Sequence, residues 1–481
     1  MLTRIIRHEW RTMAADRSIW LVAALFLAIV GYSVYNGAAW VRFQERTLDS
    51  AARDEEERLA DLRREVAAIE AGGDAPASLR DPRSPAVVGG SRGQRYAMAR
   101  PGPLAALAVG QGDLYPYYFK ITNRSKQTFI NNDEIENPTN LLAGRFDLGF
   151  VSVFLFPLLI LALSYNLISA EREQGTLAMA LAQPVRLRTL AIGKVAFRSA
   201  VVLTLAIGLA AVGSLVAGID LSRPETVGRL ALWSAVIAAY GGFWFALAVA
   251  VNALGRGSAT NAIALVALWI ALVVVAPALV NVAVTSLHPV PSRVELIRAM
   301  REASREASSR GSKVLARYYE DHPELAPADK DKDAAPADFM VTSQAVQESV
   351  DRSIAPVLDR YDVQLARQQA LVDRLRFLSP AIVAQEALND VAGTGLARHK
   401  HFLGQVDAYH KAWQDFFIPK IMRREMLKAS DFAAIPEFRF REEPVGEVCT
   451  RVAVGVAGLA LPALAVGLLG LAALRRYPIA G

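Results

Sequence analysis

The chain has one cysteine, Cys449, in 481 residues. No intrachain disulfide can form, so its polar segments fold on packing alone, even on an oxidising side of a membrane. A G-x-x-x-x-G-K-[ST] loop is missing. The stretch "AIGKVA" offers Gly193–Lys194, but neither the following Ser or Thr nor the upstream glycine. A phosphate-cradling nucleotide loop is therefore excluded. No G-x-S-x-G nucleophile elbow is present. The six histidines are His8, His288, His322, His399, His401 and His410, and "RHKHFLGQVDAYH" gathers three of them. They form no helical i, i+4 pair and no acidic motif follows, so no metal site is expected. No carboxylate, lysine or histidine stands near the centre of any long apolar run. Ion-coupled transporters place such groups at depth, so self-powered, proton-driven transport is disfavoured.

What the chain does have is apolar length. Hydrophobic residues make up 53% of it, and they concentrate in runs rather than spreading through three ordinary domains. Six runs reach the ~20 residues a helix needs to cross the hydrocarbon core. They are Trp20–Trp40, Leu148–Ala170, Ser199–Ile219, Leu230–Ala253, Ala259–Val284 and Val452–Leu474. The expected fold is an all-α polytopic membrane protein with two large, mostly helical segments, 41–147 and 285–451, between the first and second and the fifth and sixth spans.

Charge placement suggests the orientation. Arg4, Arg7, Arg11 and Arg17 precede the first run; Arg186, Arg188, Lys194 and Arg198 follow the second; Arg256 separates the fourth and fifth; Arg475 and Arg476 follow the last. The positive-inside rule puts these segments, including residues 171–198 and the tail 475–481, in the cytoplasm, and both termini with them. The two large segments then lie outside. The net charge of +6 is modest, and no nucleic-acid partner is expected. Gly37–Ala38–Ala39 would pass as a signal cleavage site. The apolar run is too long for a signal core and a helical pattern continues past it, so an uncleaved anchor is expected.

Residues 1–19 read as an amphipathic helix lying in the membrane interface, with Leu2, Ile5, Ile6, Trp10 and Met13 on one face. "ERLADLRREVAAIE" spaces Leu59, Leu62, Val66 and Ile69 as a short coiled-coil-like stripe. The following "AGGDAPASLRDPRSPAVVGGSRG" breaks periodicity and reads as a loop or flexible lobe. "DHPELAPADKDKDAAPAD" reads as a mobile linker. "DLYPYYFKI", with Tyr115, Tyr117 and Tyr118, suggests an interfacial tyrosine belt, with a substrate-contacting surface as the alternative, and "KAWQDFFIPKIM" suggests an amphipathic stretch along the outer leaflet. Glycines 455, 458, 467 and 470 allow close helix approach, within one subunit or between two. "YGGFW" at 240–244 either lines a cavity or packs.

The informative loop is "EREQGTLAMALAQPVRLRTLAIGK", Glu171–Lys194. Gly175–Thr176 permits a tight turn, "TLAMALAQ" forms a short helix, and Pro184 stops it. A soluble partner gripping this helix would push on both adjoining spans; an ordinary interfacial loop is the bland alternative. The stretch resembles the coupling signature of ABC type-2 transporter permeases, with its acidic-Gly-Thr start, central proline and terminal Gly-Lys. The start of the chain is similar to that family's interfacial elbow helix. "NPTNLLAGRFDLGFV", "HPVPSR" and "SPAIVAQEALNDVAGTG" resemble a bacterial subgroup with large extracytoplasmic segments, catalogued as a domain of unknown function.

The resemblance implies a non-enzymatic permease subunit in the bacterial inner membrane, paired with a second permease and docked to a separate cytoplasmic ATPase. ATP and Mg would be held by that ATPase and no cofactor by this chain. Glu171, Arg172, Glu173, Gly175, Thr176, Pro184 and Arg186 would form the contact. Export is the expected direction, with the substrate unspecified. One alternative is a mechanical transmitter acting on an envelope partner without translocating substrate. Another is an ATPase-independent receptor or scaffold.

Overall fold

The structure is a computed structural model, describing residues 2–76, 80–110, 112–124, 145–183, 185–289, 293–321 and 335–478. Six helical stretches are long and apolar enough to cross a membrane: Arg17–Glu70, Leu148–Glu173, Leu187–Val216, Pro224–Asn252, Ser258–Leu287 and Val445–Arg476. They are called here the first to sixth spans, and they mark a helical membrane protein. Several extend beyond the apolar runs. The third begins at Leu187, twelve residues before its run, so Lys194 and Arg198 lie inside the helix. The first is one helix of 54 residues, roughly 80 Å long at 1.5 Å per residue. It carries the chain out of the bundle and buries Leu62 and Val66 of the predicted stripe in a separate lobe.

That lobe draws on both large segments. Leu62, Val66, Val88, Phe119 and Ile121 share one apolar core with Phe402, Trp413 and Phe417. Three expectations are corrected here. "AGGDAPASLRDPRSPAVVGGSRG" contributes Val88, fully buried, to this core, so its described part is packed rather than loose. "KAWQDFFIPKIM" belongs to the lobe's central helix, Leu396–Met422, because its apolar face is buried there and not on a leaflet. The tyrosine cluster supplies a strand, β2 (Tyr118–Ile121), antiparallel to β1 (Arg95–Met98). Its alternate residues Phe119 and Ile121 are buried in the lobe. Tyr115 stacks on His399 with ring centroids 4.5 Å apart, and burial pushes that imidazole down to about 4. Residues 322–334 of the expected linker, and all of "NPTNLLAG", lie outside the described residues.

Two spans contain prolines whose cost is met from elsewhere in the fold. Pro157 has no N–H for the carbonyl of Val153 four residues earlier, and the helix there is π-helical over Val151–Leu155. The Tyr240 hydroxyl of the fourth span donates to that carbonyl at 2.8 Å. Pro277 follows a second π-helical stretch, Ile270–Val275. The carbonyl of Leu272, five residues before Pro277, accepts from the Ser379 hydroxyl at 2.7 Å. In a bilayer core no water can satisfy such carbonyls, so side-chain donors must. "YGGFW" is thus packed core: Tyr240 and Trp244 are fully buried.

The Ser379 bond shows where the chain returns. Pro380–Ala392 is a 13-residue helix, too short to span a bilayer, and is called here the re-entrant helix only because the chain returns with it among the spans. It packs against the fourth, fifth and sixth spans, with Arg229 of the fourth donating to the Val391 carbonyl at 3.1 Å. Part of 285–451 therefore dips back into the bundle. The glycine stripe of the sixth span is used within the chain. A Cβ at Gly470 would fall 2.9 Å from the Ala250 backbone, and one at Gly458 would strike Phe377. Tyr240→Phe and Ser379→Ala should each lower unfolding stability by ~1–3 kcal/mol, the cost of an orphaned buried carbonyl. Denaturant unfolding of the purified chain in detergent checks this, and neutral effects would contradict it.

Candidate functional site

The second span breaks near its far end. Its helix stops at Ser164, turns through Tyr165–Ile168 and resumes as Ser169–Glu173. The polar run "SYN" sits at the break. Three carbonyls freed there are capped by side chains of other spans. Leu163 O accepts from Arg198, Ser164 O from Asn252 at 3.0 Å, and Leu167 O from Lys194 at 3.0 Å. Asn252 also accepts the Ile168 N–H at 3.4 Å.

After Glu173, Gly175 adopts a left-handed conformation (φ 72°), which reverses the chain into a second short helix, Thr176–Leu181. The Thr176 hydroxyl donates to the Glu171 carbonyl at 3.1 Å, closing the turn. Leu177 anchors the second helix in the bundle core. The outcome is a helical hairpin at one end of the bundle. The start of the chain, the Gly255 turn and Tyr477 gather at the same end, so described parts of all four basic segments meet there.

The acidic and basic residues of the hairpin bond to this chain. Lys194, 4% exposed, pairs with Glu171 at 2.7 Å and with Glu9 of the N-terminal helix Leu2–Ala15 at 3.5 Å. Glu9, 3% exposed, also pairs with Arg198 at 3.0 Å. Two carboxylates and two cations thus balance, with Lys194 and Glu9 buried and Glu171 and Arg198 half-buried, the condition under which buried charge is tolerated. Arg172 donates to the Gly255 carbonyl at 2.6 Å and lies over the Tyr477 ring. Glu173 accepts from the Ser258 N–H at 2.6 Å and its hydroxyl at 2.8 Å, capping the start of the fifth span. The hairpin is bolted to the third span, the fifth span and the N-terminal helix together.

Of the seven expected contact residues, Glu171, Arg172, Glu173 and Thr176 therefore have partners inside the chain. Gly175 and Arg186 are exposed, and Pro184 lies outside the described residues. The outward surface is formed by Gln174, Ala178, Met179, Ala182, Gln183 and Arg186, all exposed, with Met179 at 68%. Sequence reasoning missed Glu9 and Asn252. Glu9 is the only acidic residue of the helix Leu2–Ala15, and that isolation was the available signal. The cluster His399, His401 and His410 is dispersed. His401 and His410 face the backbone carbonyls of Arg441 and Arg124 at 3.0 and 2.9 Å, and His399 stacks on Tyr115.

The fold defines a helical membrane protein whose termini-side hairpin is tied to its spans. Residues 293–441 match a family described as a domain of unknown function (DUF3526). That match covers much of the lobe and the re-entrant helix, and leaves the hairpin out. No curated protein and no solved structure matches the chain.

Lys194→Met should destabilise the chain by about 3–5 kcal/mol, since it leaves Glu171 without a cation in a largely buried cluster whose remaining cation, Arg198, is held by Glu9. Adding Glu171→Gln should recover much of that loss, because the uncompensated charge goes with it while Glu9 keeps Arg198. Chemical denaturation checks both steps. A loss below ~1 kcal/mol, the range of exposed pairs, would show the cluster to be solvated.

Proposed function

We propose that this chain is the membrane subunit of an ATP-driven machine, a permease of the ABC type-2 kind, probed from inside the cell at residues 169–186. A separate cytoplasmic ATPase would bind ATP and Mg and seat on the exposed face of Gln174–Gln183 and Arg186. A second permease, identical or similar, would complete the dimer. Both termini would then be cytoplasmic and the lobe extracytoplasmic, in a bacterial inner membrane, with export as the direction. The observation that carries this reading is the bolting of the hairpin. A push on Met179 would reach Glu171, then Lys194 of the third span and Glu9 of the N-terminal helix, through largely buried ion pairs. Glu171, Arg172 and Glu173 would serve by holding the hairpin rigid, and the contact itself would fall to the neutral outward residues and Arg186.

A second reading, mechanical transmission without translocation, is supported by the continuous helix Arg17–Glu70. It would pass motion from bundle to lobe as one rod.

Both readings are tested by co-expressing the chain with an ATPase encoded beside it. Met179→Asp and Arg186→Glu should weaken assembly or ATP turnover at least tenfold while leaving the purified chain monodisperse. Absence of a co-purifying ATPase, or hydrolysis and docking indifferent to both substitutions, would overturn the proposal.

A further inference from the structure

A cavity of about 300 Å³ opens beside the re-entrant helix. It lies between the two π-helical stretches, with Phe150, Val153 and Phe154 of the second span on one wall and Val273 and Pro277 of the fifth on another. The third wall is the re-entrant helix, which presents Ile382 beside Gln385, Glu386 and Asn389. Phe150, Phe154, Pro277 and Ile382 are only half-buried, so the cavity opens between the spans. π-helical turns inside α-helices recur at functional sites. Here both flank one cavity, at the lobe-side part of the bundle. Its volume falls at the lower end of the range for small-molecule sites.

The lining is divided by polarity. One side is aromatic and aliphatic. The other carries Arg145, Asp147, Gln385, Glu386 and Asn389. Arg145 is paired with Asp113 at 2.9 Å and lies over the Trp40 ring. Glu386 is paired with Arg376 at 2.8 Å. Asp147, 1% exposed, caps the second span by accepting the Phe150 N–H at 2.7 Å and also accepts the Gly110 N–H at 2.9 Å. Among the described residues no cationic side chain is paired with it. The polar side therefore holds one carboxylate without a side-chain counter-ion. Burial holds its carboxyl up at about 6, despite those N–H bonds.

We propose that this cavity binds an amphipathic molecule with an ammonium head group, which lies against Asp147 and Glu386 while its hydrocarbon part runs along Phe150, Phe154 and Ile382. An ammonium supplies the missing positive charge, and its three N–H donors match the carboxylate and amide oxygens present. A carboxylate or phosphate monoester head would add charge of the wrong sign. The site does not depend on ATPase docking and holds under either reading of the function. The amphiphile can reach it as an aminolipid of the bilayer or as a free long-chain amine, and the two share this chemistry.

The test uses the full chain in maltoside micelles and dodecylamine carrying a photoreactive diazirine in its chain. Cross-links mapped by mass spectrometry should concentrate in residues 150–154 and 381–389. Unlabelled dodecylamine should suppress them at least tenfold, and dodecanoate of equal length should not. Suppression by a short-chain phosphatidylethanolamine would assign an aminolipid; indifference to it, with dodecylamine still competing, would assign a free amine. Both outcomes support the site. Asp147→Asn and Glu386→Gln should each reduce labelling several-fold. Asp147 also caps a helix, so Ile382→Trp, which fills the cavity and keeps every charge, serves as the second variant and should abolish it. Labelling spread evenly over the lipid-facing helices, equal competition by dodecanoate, or labelling unchanged in monodisperse Ile382→Trp would overturn the proposal.

Discussion

The buried ammonium of Lys194 organises one end of this molecule. It reaches Glu171 of the hairpin, Glu9 of the N-terminal helix and the Leu167 carbonyl at the break of the second span. Taking an ammonium out of water is costly unless opposite charge and hydrogen bonds surround it. Those partners come from two separate stretches, the N-terminal helix and the broken end of the second span with its hairpin, so both must be in place together against the third span. Arg198, one turn further along the third span, repeats the arrangement with Glu9 and the Leu163 carbonyl. A helix break inside a membrane is tolerated on these terms, because neighbouring side chains replace the lost backbone donors.

The same logic recurs at the lobe-side part of the bundle. Pro157 and Pro277 each interrupt a hydrogen-bond ladder, and Tyr240 and Ser379 each supply a hydroxyl to a carbonyl near the gap. The Ser379 bond has a larger consequence, since it fixes the start of the re-entrant helix against the fifth span. That helix in turn places Gln385, Glu386 and Asn389 on the wall of the amphipathic cavity. Proline in a span, the returning helix and the polar wall are thus linked through one serine.

The six spans were legible because long apolar runs have no other economical explanation in a folded chain. The turn at Gly175 was legible for the same local reason, since glycine tolerates the left-handed backbone found there. What escaped was long-range pairing. Glu9 and Lys194 are 185 positions apart, and nothing in either neighbourhood names the other. Ser379 and Leu272 are 107 positions apart. The re-entrant helix escaped because 13 residues of alanine, valine and polar groups look like any lobe helix. The stretch Lys411–Met422 misled for the opposite reason: its aromatic face suits a membrane interface and a lobe core equally well, and only packing distinguishes them. The charged hairpin residues were noticed, but sequence could not tell that their partners lie within the chain.

The central claim is that buried ion pairs make the hairpin, the third span and the N-terminal helix one rigid block. The most direct measurement is the distance between spin labels at Met179→Cys on the hairpin and Trp10→Cys on the N-terminal helix, in a Cys449→Ser background. The ion-paired chain should give one narrow distance distribution, and Lys194→Met should broaden it. A broad distribution with Lys194 in place, or a narrow one that survives Lys194→Met, would contradict the claim.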